Sequence, residues 1–168
     1  MATSNAATTF LEHRILNFIF KAPNTKKPIE LISRNSIGSN NLFTNFTSLS
    51  GTLNKFSYFT FVNYKKGDGF RPNSNFNSIN LYSFLKYSFN NKLEISSEIT
   101  HMNYLTQQAG GLTDQMFNNN ILQSNRSRNW FEVNWLLFNT KLLYKPTEKT
   151  KLSLSLFGLD AERNALGY

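Results

Sequence analysis

The side chains that offer chemistry in this sequence are cations and amides gathered in two glycine-containing stretches. Arg71 follows Gly67-Asp68-Gly69, and Arg126 and Arg128 follow a segment holding Gln107, Gln108 and the pair Gly110-Gly111. Arginine presents a planar fork of N–H donors that matches carboxylates, and amides add neutral donors and acceptors. With Lys65 and Lys66 nearby and only Asp68 and Asp114 against them, the local balance is positive. Covalent and metal chemistry have little to work with. There is no Cys, and His13 and His101 stand apart, which leaves no thiolate site, zinc pattern or histidine relay. Glu94 and Glu98 share one face of a strand pattern, but charges are expected on the polar face of such a strand, so neither is assigned catalysis. The inventory points to binding and to no enzyme, metal or cofactor.

Gly67-Asp-Gly69 with Arg71-Pro72 reads first as a turn, and Gly110-Gly111 as a backbone hinge. Turns of that length need rigid elements on either side. The pattern that supplies them has period two almost throughout. Leu93, Ile95, Ser97 and Ile99 oppose Glu94, Ser96, Glu98 and Thr100, and Leu152, Leu154 and Leu156 oppose Lys151, Ser153 and Ser155. Ile79, Leu81, Leu85, Tyr87 and Phe89 share a side against Asn80, Lys86 and Ser88. Seven strands are expected, over 28–37, 42–53, 56–65, 79–89, 93–104, 129–144 and 152–159, with 159–168 reading as a strand that enters a further loop. Most reach the roughly 9–11 residues with which a tilted strand crosses a bilayer, beyond the usual length of about 5–6 in soluble sheets. Tight turns at Asn54-Lys55, Asn90-Asn91-Lys92 and 146–150 alternate with long connections over 67–77 and 106–128. Short turns on one rim and long loops on the other is the arrangement of outer-membrane barrels. Aromatics near strand ends, Phe56, Tyr58, Tyr87, Phe89, Trp130, Phe131 and Tyr144, stand where girdles meet headgroups.

Composition agrees with a folded β chain. Of 168 residues, 40% are hydrophobic, 15% aromatic and 17% charged, too aromatic and too charge-poor for disorder. The net charge of +8 raises nucleic-acid binding as a reading. The lysines are dispersed over both rims, which argues against it. No apolar run approaches the roughly 20 residues of a membrane helix, and 1–10 lacks a signal-peptide pattern. The 24 Asn residues are given no functional weight.

Four strings in order carry a resemblance. They are Asn63-Tyr-Lys-Lys-Gly-Asp-Gly-Phe-Arg-Pro-Asn73, Tyr104-Leu-Thr-Gln-Gln-Ala-Gly-Gly-Leu-Thr-Asp114, Gln123-Ser-Asn-Arg-Ser-Arg-Asn-Trp-Phe131 and Phe157-Gly-Leu-Asp-Ala-Glu-Arg-Asn-Ala-Leu-Gly167. Together they resemble the first part of the barrel of TonB-dependent outer-membrane receptors, ferric-dicitrate-type receptors of the Bacteroidetes kind in particular. Ile15-Leu-Asn-Phe-Ile-Phe-Lys-Ala-Pro-Asn24 looks like the end of the plug domain. The resemblance implies an all-β antiparallel up-and-down meander of about seven long strands, part of a 22-stranded transmembrane β-barrel. It implies three regions: 1–14 unmatched, 15–27 end of plug and linker, 28–168 N-terminal part of the barrel. It also implies a receptor fragment without signal sequence, TonB box or most of the plug, incapable of transport alone, whose parent lies in the outer membrane.

Implied partners are a ferric chelate such as ferric citrate or a siderophore, the TonB-ExbB-ExbD system through the missing plug, and outer-membrane lipid and lipopolysaccharide, with no nucleic acid. The implied substrate-binding residues are Arg71, Arg126, Arg128, Gln107 and Gln108. Leu93, Ile95, Ile99, Leu152, Leu154 and Leu156 are expected on a convex, lipid-directed face. Two other readings stay open on the residues alone, a small autonomous outer-membrane barrel and a soluble basic β protein.

Overall fold

The computed structural model describes residues 27–167; the unmatched segment 1–14 and the expected end of plug and linker as far as Lys26 lie outside the described residues. Seven strands form: β1 (Glu30–Gly38), β2 (Leu42–Leu53), β3 (Phe56–Gly67), β4 (Phe76–Asn90), β5 (Leu93–Gln107), β6 (Trp130–Thr147) and β7 (Thr150–Leu166). They make one sheet in sequence order, every neighbour antiparallel, as the alternation requires. One short helix, α1 (Asp114–Asn119), interrupts the longest loop. The fold class read from the sequence is therefore the observed one.

The turns explain part of the asparagine excess. Asn40, Asn41, Asn54 and Asn73 all adopt positive φ, between 52° and 57°, which asparagine tolerates better than other residues with a Cβ. Asn40-Asn41 sits between Ser39 and Leu42, whose N–H donates to the Ser39 carbonyl at 3.2 Å, and two successive positive φ values match the twist of a two-residue hairpin. This tight turn shares a rim with the two long loops, so only the opposite rim has tight turns alone. There, the Asn90 side chain accepts from the Lys92 and Leu93 N–H groups at 2.8 and 2.9 Å. Pro146, which has no N–H to give the ladder, falls inside the register shift between Tyr144 and Thr147.

Register fixes two faces. Leu53, Phe56, Tyr87, Ile95, Leu142 and Leu154 form one cross-strand row, and Leu49, Thr60, Ser83, Ile99 and Phe138 another on the same side. Leu93 and Leu152 pair through Tyr144 on that side, and Leu156 joins through Thr140, so the six residues expected together do share a face. The other face carries Phe46, Phe59, Phe61, Tyr82, Glu94 and Glu98. All five buried polar residues, Ser48, Ser50, Ser57, Ser78 and Thr106, lie on this second face. Side chains crowd on the inside of a curved sheet, which makes the second face concave and the leucine-bearing face convex.

Neither face is packed. Among the described residues the one buried apolar side chain is Ala109, and it belongs to a loop; Leu154 on the convex face is 70% exposed. A soluble sheet must bury at least one face against another layer. What lateral cohesion exists comes from cross-strand pairs, such as the Phe46, Phe59, Phe61 and Tyr82 rings at 5.3–6.0 Å on the concave side.

Candidate functional site

The 68–75 and 108–129 loops rise from the same rim, between β3 and β4 and between β5 and β6. Backbone bonds tie the feet of both: the Gln107 N–H donates to the Asn75 carbonyl at 2.7 Å, and the Gln108 N–H to the Asn129 carbonyl at 2.8 Å. The 68–75 loop turns through Gly69, at φ 75°, where an added Cβ would lie 2.5 Å from the Ser74 Cβ. Gly69 is thus the turn builder that the sequence suggested. Within the 108–129 loop, Thr113 caps α1 by accepting from the Met116 N–H at 3.3 Å, with Asp114 in the first turn. Asn125 pins the loop's return, its N–H donating to the Ala109 carbonyl at 3.0 Å and its side-chain amide to the Gly111 carbonyl at 2.7 Å.

Arg71 binds the two loops together. Its Nη2 donates to the Gly110 carbonyl at 2.5 Å and its Nη1 reaches the Gln123 carbonyl at 3.5 Å, while the Asn73 side-chain amide donates to the Ser124 hydroxyl at 3.2 Å. Arg126 approaches the same glycine from another side. A Cβ on Gly110, which has φ 82°, would lie 3.2–3.3 Å from the Arg126 Cγ, Cδ and Nε atoms. Two of the three expected arginines therefore converge on Gly110. Arg71 is half-buried, Arg126 and Arg128 are exposed, and Arg128 stands beside Asn129 at the foot of the loop.

Few carboxylates oppose this cluster. Asp68 accepts from the Asn41 side-chain amide across the neighbouring turn, and Asp114 is exposed at the start of α1. Gln107 is half-buried at the end of β5 opposite Trp130, and Gln108 is exposed, its carbonyl accepting from the Asn129 amide at 2.9 Å. The backbone of the two glutamines builds the loop base. An open cavity of about 740 Å³ lies on the same rim, lined by residues that include Asn41, Phe43, Lys66, Asp68 and Asn77.

The concave face offers no reactive pair. Glu98 accepts from the Tyr82 hydroxyl at 3.0 Å and the Asn139 amide at 3.1 Å, and Glu94 is met by Lys86 at 3.7 Å and Ser88 at 3.4 Å. His101 lies within β5 on the convex face, in a row with Leu81 and Leu136, its Nε2 3.0 Å from the Asn134 Oδ1. Sequence reading also missed the loop-to-loop role of Arg71 and Asn73, and α1 itself, although Thr113-Asp114 is a legible helix start.

No protein-family model and no curated relative matches the sequence. Among solved structures, the fold is similar to that of the ferric citrate transporter FecA in its unliganded form, with a TM-score of 0.68 and 18% identity. The likeness covers 82% of this chain and 21% of the transporter, so the chain spans about a fifth of the length of that neighbour. The seven-stranded meander thus has the fold of one part of that transporter, a match to a fragment of a β-barrel.

Proposed function

We propose that the chain is the N-terminal part of the barrel of a TonB-dependent outer-membrane receptor that takes up a ferric chelate, ferric citrate or a siderophore. The observation that carries this reading is the unpacked sheet: long antiparallel strands in a single layer, a leucine-rich convex face, and no buried apolar core among the described residues. Such a sheet suits lipid on one side and an enclosed polar lumen on the other. A soluble nucleic-acid binder would need the core that these residues lack. In this reading 28–168 is barrel, 15–27 ends the plug, and coupling to TonB-ExbB-ExbD runs through plug residues outside this segment.

The long-loop rim is then extracellular, and the arginines meeting at Gly110 attract an anionic chelate. Arg126 and Arg128 are the chelate-contacting cations; Arg71 holds the two loops in the shape that presents them; Gln107 and Gln108 supply flanking amides. In a complete receptor carrying this segment, Arg126→Ala with Arg128→Ala weakens ferric citrate binding, each charge-assisted bond contributing about 1.5–3 kcal/mol. Adding Arg71→Ala lowers affinity further through loop disorder. Titration of the purified receptor with ferric citrate reads both effects, and unchanged affinity in the triple variant would assign the arginines to loop structure or to lipopolysaccharide phosphate.

A further inference from the structure

The tight-turn end of the concave face carries a cationic group that the chelate reading does not use. Leu93, Tyr144 and Leu152 form a convex rung, so the next positions outward, Lys92 and Lys145, fall on the concave side, and Lys151 falls there too, one position before Leu152. The Lys145 N–H donates to the Lys92 carbonyl at 2.7 Å, which carries the ladder on to these residues. Further in on the same face, Lys86 and Lys141 stand on either side of Ser96. At this height the convex side holds Phe56, Tyr87, Ile95, Leu142 and Leu154 and, in that row, no charge. The lysines are therefore confined to one face.

Their charge is not balanced from within the sheet. The concave carboxylates among the described residues are Glu30, Glu94 and Glu98, and each is already engaged. Glu30 meets Lys27 at 2.9 Å, Glu94 meets Lys86 at 3.7 Å and Ser88 at 3.4 Å, and Glu98 accepts from Tyr82 and Asn139. Lys92, Lys141, Lys145 and Lys151 are exposed and have no side-chain partner among the described residues. Like charges at facing positions of adjoining strands repel one another, and hydroxyls or amides would keep a lumen wall polar without that cost. A local arrangement that costs stability with no gain to the fold is the mark of a functional group. A cavity of about 240 Å³ opens here, lined by residues that include Ser88, Asn90, Lys92, Leu143 and Lys145, with Glu94 at its edge. The Asn90 Oδ1 accepts from the Lys92 and Leu93 N–H groups at 2.8 and 2.9 Å, and its amide nitrogen remains available as a donor.

We infer that the tight-turn end of the concave face binds a small polycarboxylate, an anion of the citrate type, between Lys92, Lys145 and Lys151. Three ammonium groups on adjoining strands, whose backbones lie about 5 Å apart, can close on one molecule that carries several carboxylates. Asn90 and Ser88 flank it with neutral donors, and Lys86 and Lys141 extend the positive potential inward. The inference rests on the reading of the concave face as the lumen of a chelate receptor. It adds a second anion station at the end of that lumen remote from the arginine-bearing loops. A lipid does not fit this side, where Leu143 is the apolar side chain lining the cavity.

The test uses the full 168-residue chain refolded in neutral-detergent micelles, with iron-free citrate as the probe and acetylation of each lysine counted by mass spectrometry. Saturating citrate should slow acetylation of Lys92, Lys145 and Lys151 by about tenfold, while Lys66 and Lys149 change by less than about twofold. The citrate concentration that half-protects Lys151 should rise roughly 25-fold in Lys92→Gln with Lys145→Gln, about fivefold for each lysine. Lys92→Arg with Lys145→Arg keeps the charge and should hold that concentration within about threefold. Equal protection of Lys66 and Lys149 would reduce the group to non-specific positive charge and overturn the inference. Protection by pyrophosphate at a lower concentration than citrate, or displacement of citrate by less of an oligoglutamate peptide, would overturn it in favour of a phosphate site or a protein-docking surface. Absence of citrate protection at these lysines would overturn it as well, while the chelate reading of the long-loop rim is judged separately by ferric citrate titration of the Arg126 and Arg128 variants.

Discussion

Arg71→Ala should release the two long loops from each other without loosening the sheet beneath them. The substitution chiefly removes the 2.5 Å bond from Nη2 to the Gly110 carbonyl, a charge-assisted bond from a half-buried guanidinium. Bonds of that kind contribute about 1.5–3 kcal/mol. The bond to Gln123, at 3.5 Å, is at the outer limit of hydrogen-bond geometry and adds little. The neutral Asn73–Ser124 bond at 3.2 Å survives. The expected loss is therefore about 2 kcal/mol of loop-pair stability, and at about 1.4 kcal/mol per factor of ten the opening equilibrium rises roughly 25-fold. Amide hydrogen exchange reads this directly, since the Asn125 N–H is protected only by the Ala109 carbonyl across the loop. Its exchange should accelerate by about that factor, while amides in the middle of β4 and β5 stay unchanged. Arg71→Lys should fall between, because a single ammonium cannot reproduce the fork. Exchange at Asn125 within about twofold of the unaltered chain would show that Arg71 does not tie the loops.

Other perturbations follow from the same bonds and close approaches. Glu98→Ala removes the shared acceptor of Tyr82 and Asn139 on the concave face and should lower unfolding free energy by about 2 kcal/mol, read as an earlier urea midpoint in detergent; an unchanged midpoint would mean that the three strands are not linked there. Gly110→Ala places a Cβ against Arg126 at φ 82°, at a cost of about 1–2 kcal/mol, so tryptic cleavage after Arg126 should accelerate by roughly tenfold; unaltered cleavage would contradict the close approach. The chain of 168 residues, exported behind an added signal in cells lacking their ferric citrate receptor, should give no iron uptake, because among the described residues β1 and β7 each leave an unpaired edge that hydrocarbon does not tolerate. Uptake above the empty-vector level would overturn that argument.

The sheet was legible because its turns and faces repeat a simple grammar. Leu42–Leu53 has the expected ends, bounded by Asn41 on one side and Asn54 on the other, both at positive φ. Elsewhere strands run past the apolar alternation. β4 begins at Phe76 because Asn77 and Ser78 continue the ladder with Lys66 and Lys65 as partners. β7 runs on through Asp160–Leu166, joining the two expected strand stretches 152–159 and 159–168 into one element through its pairing with β6. The arginines were legible as a cationic group, but not in their separate roles. Arg71 bonds backbone carbonyls 39 and 52 residues away, and carbonyl acceptors leave no trace in residue identity.

The central claim is that the convex face meets lipid, and the absence of native cysteine makes that claim directly measurable. Single cysteines placed in turn at Leu152, Ser153, Leu154, Ser155 and Leu156 of β7, in membranes holding the proposed receptor with this segment in its barrel, can be reacted with a water-soluble maleimide and with a lipid-soluble probe. Because neighbouring side chains point to opposite sides of a strand, the account predicts alternation. Positions 152, 154 and 156 should react with the lipid-soluble probe and resist the aqueous one, with 153 and 155 reversed. Uniform aqueous labelling along all five positions would contradict it.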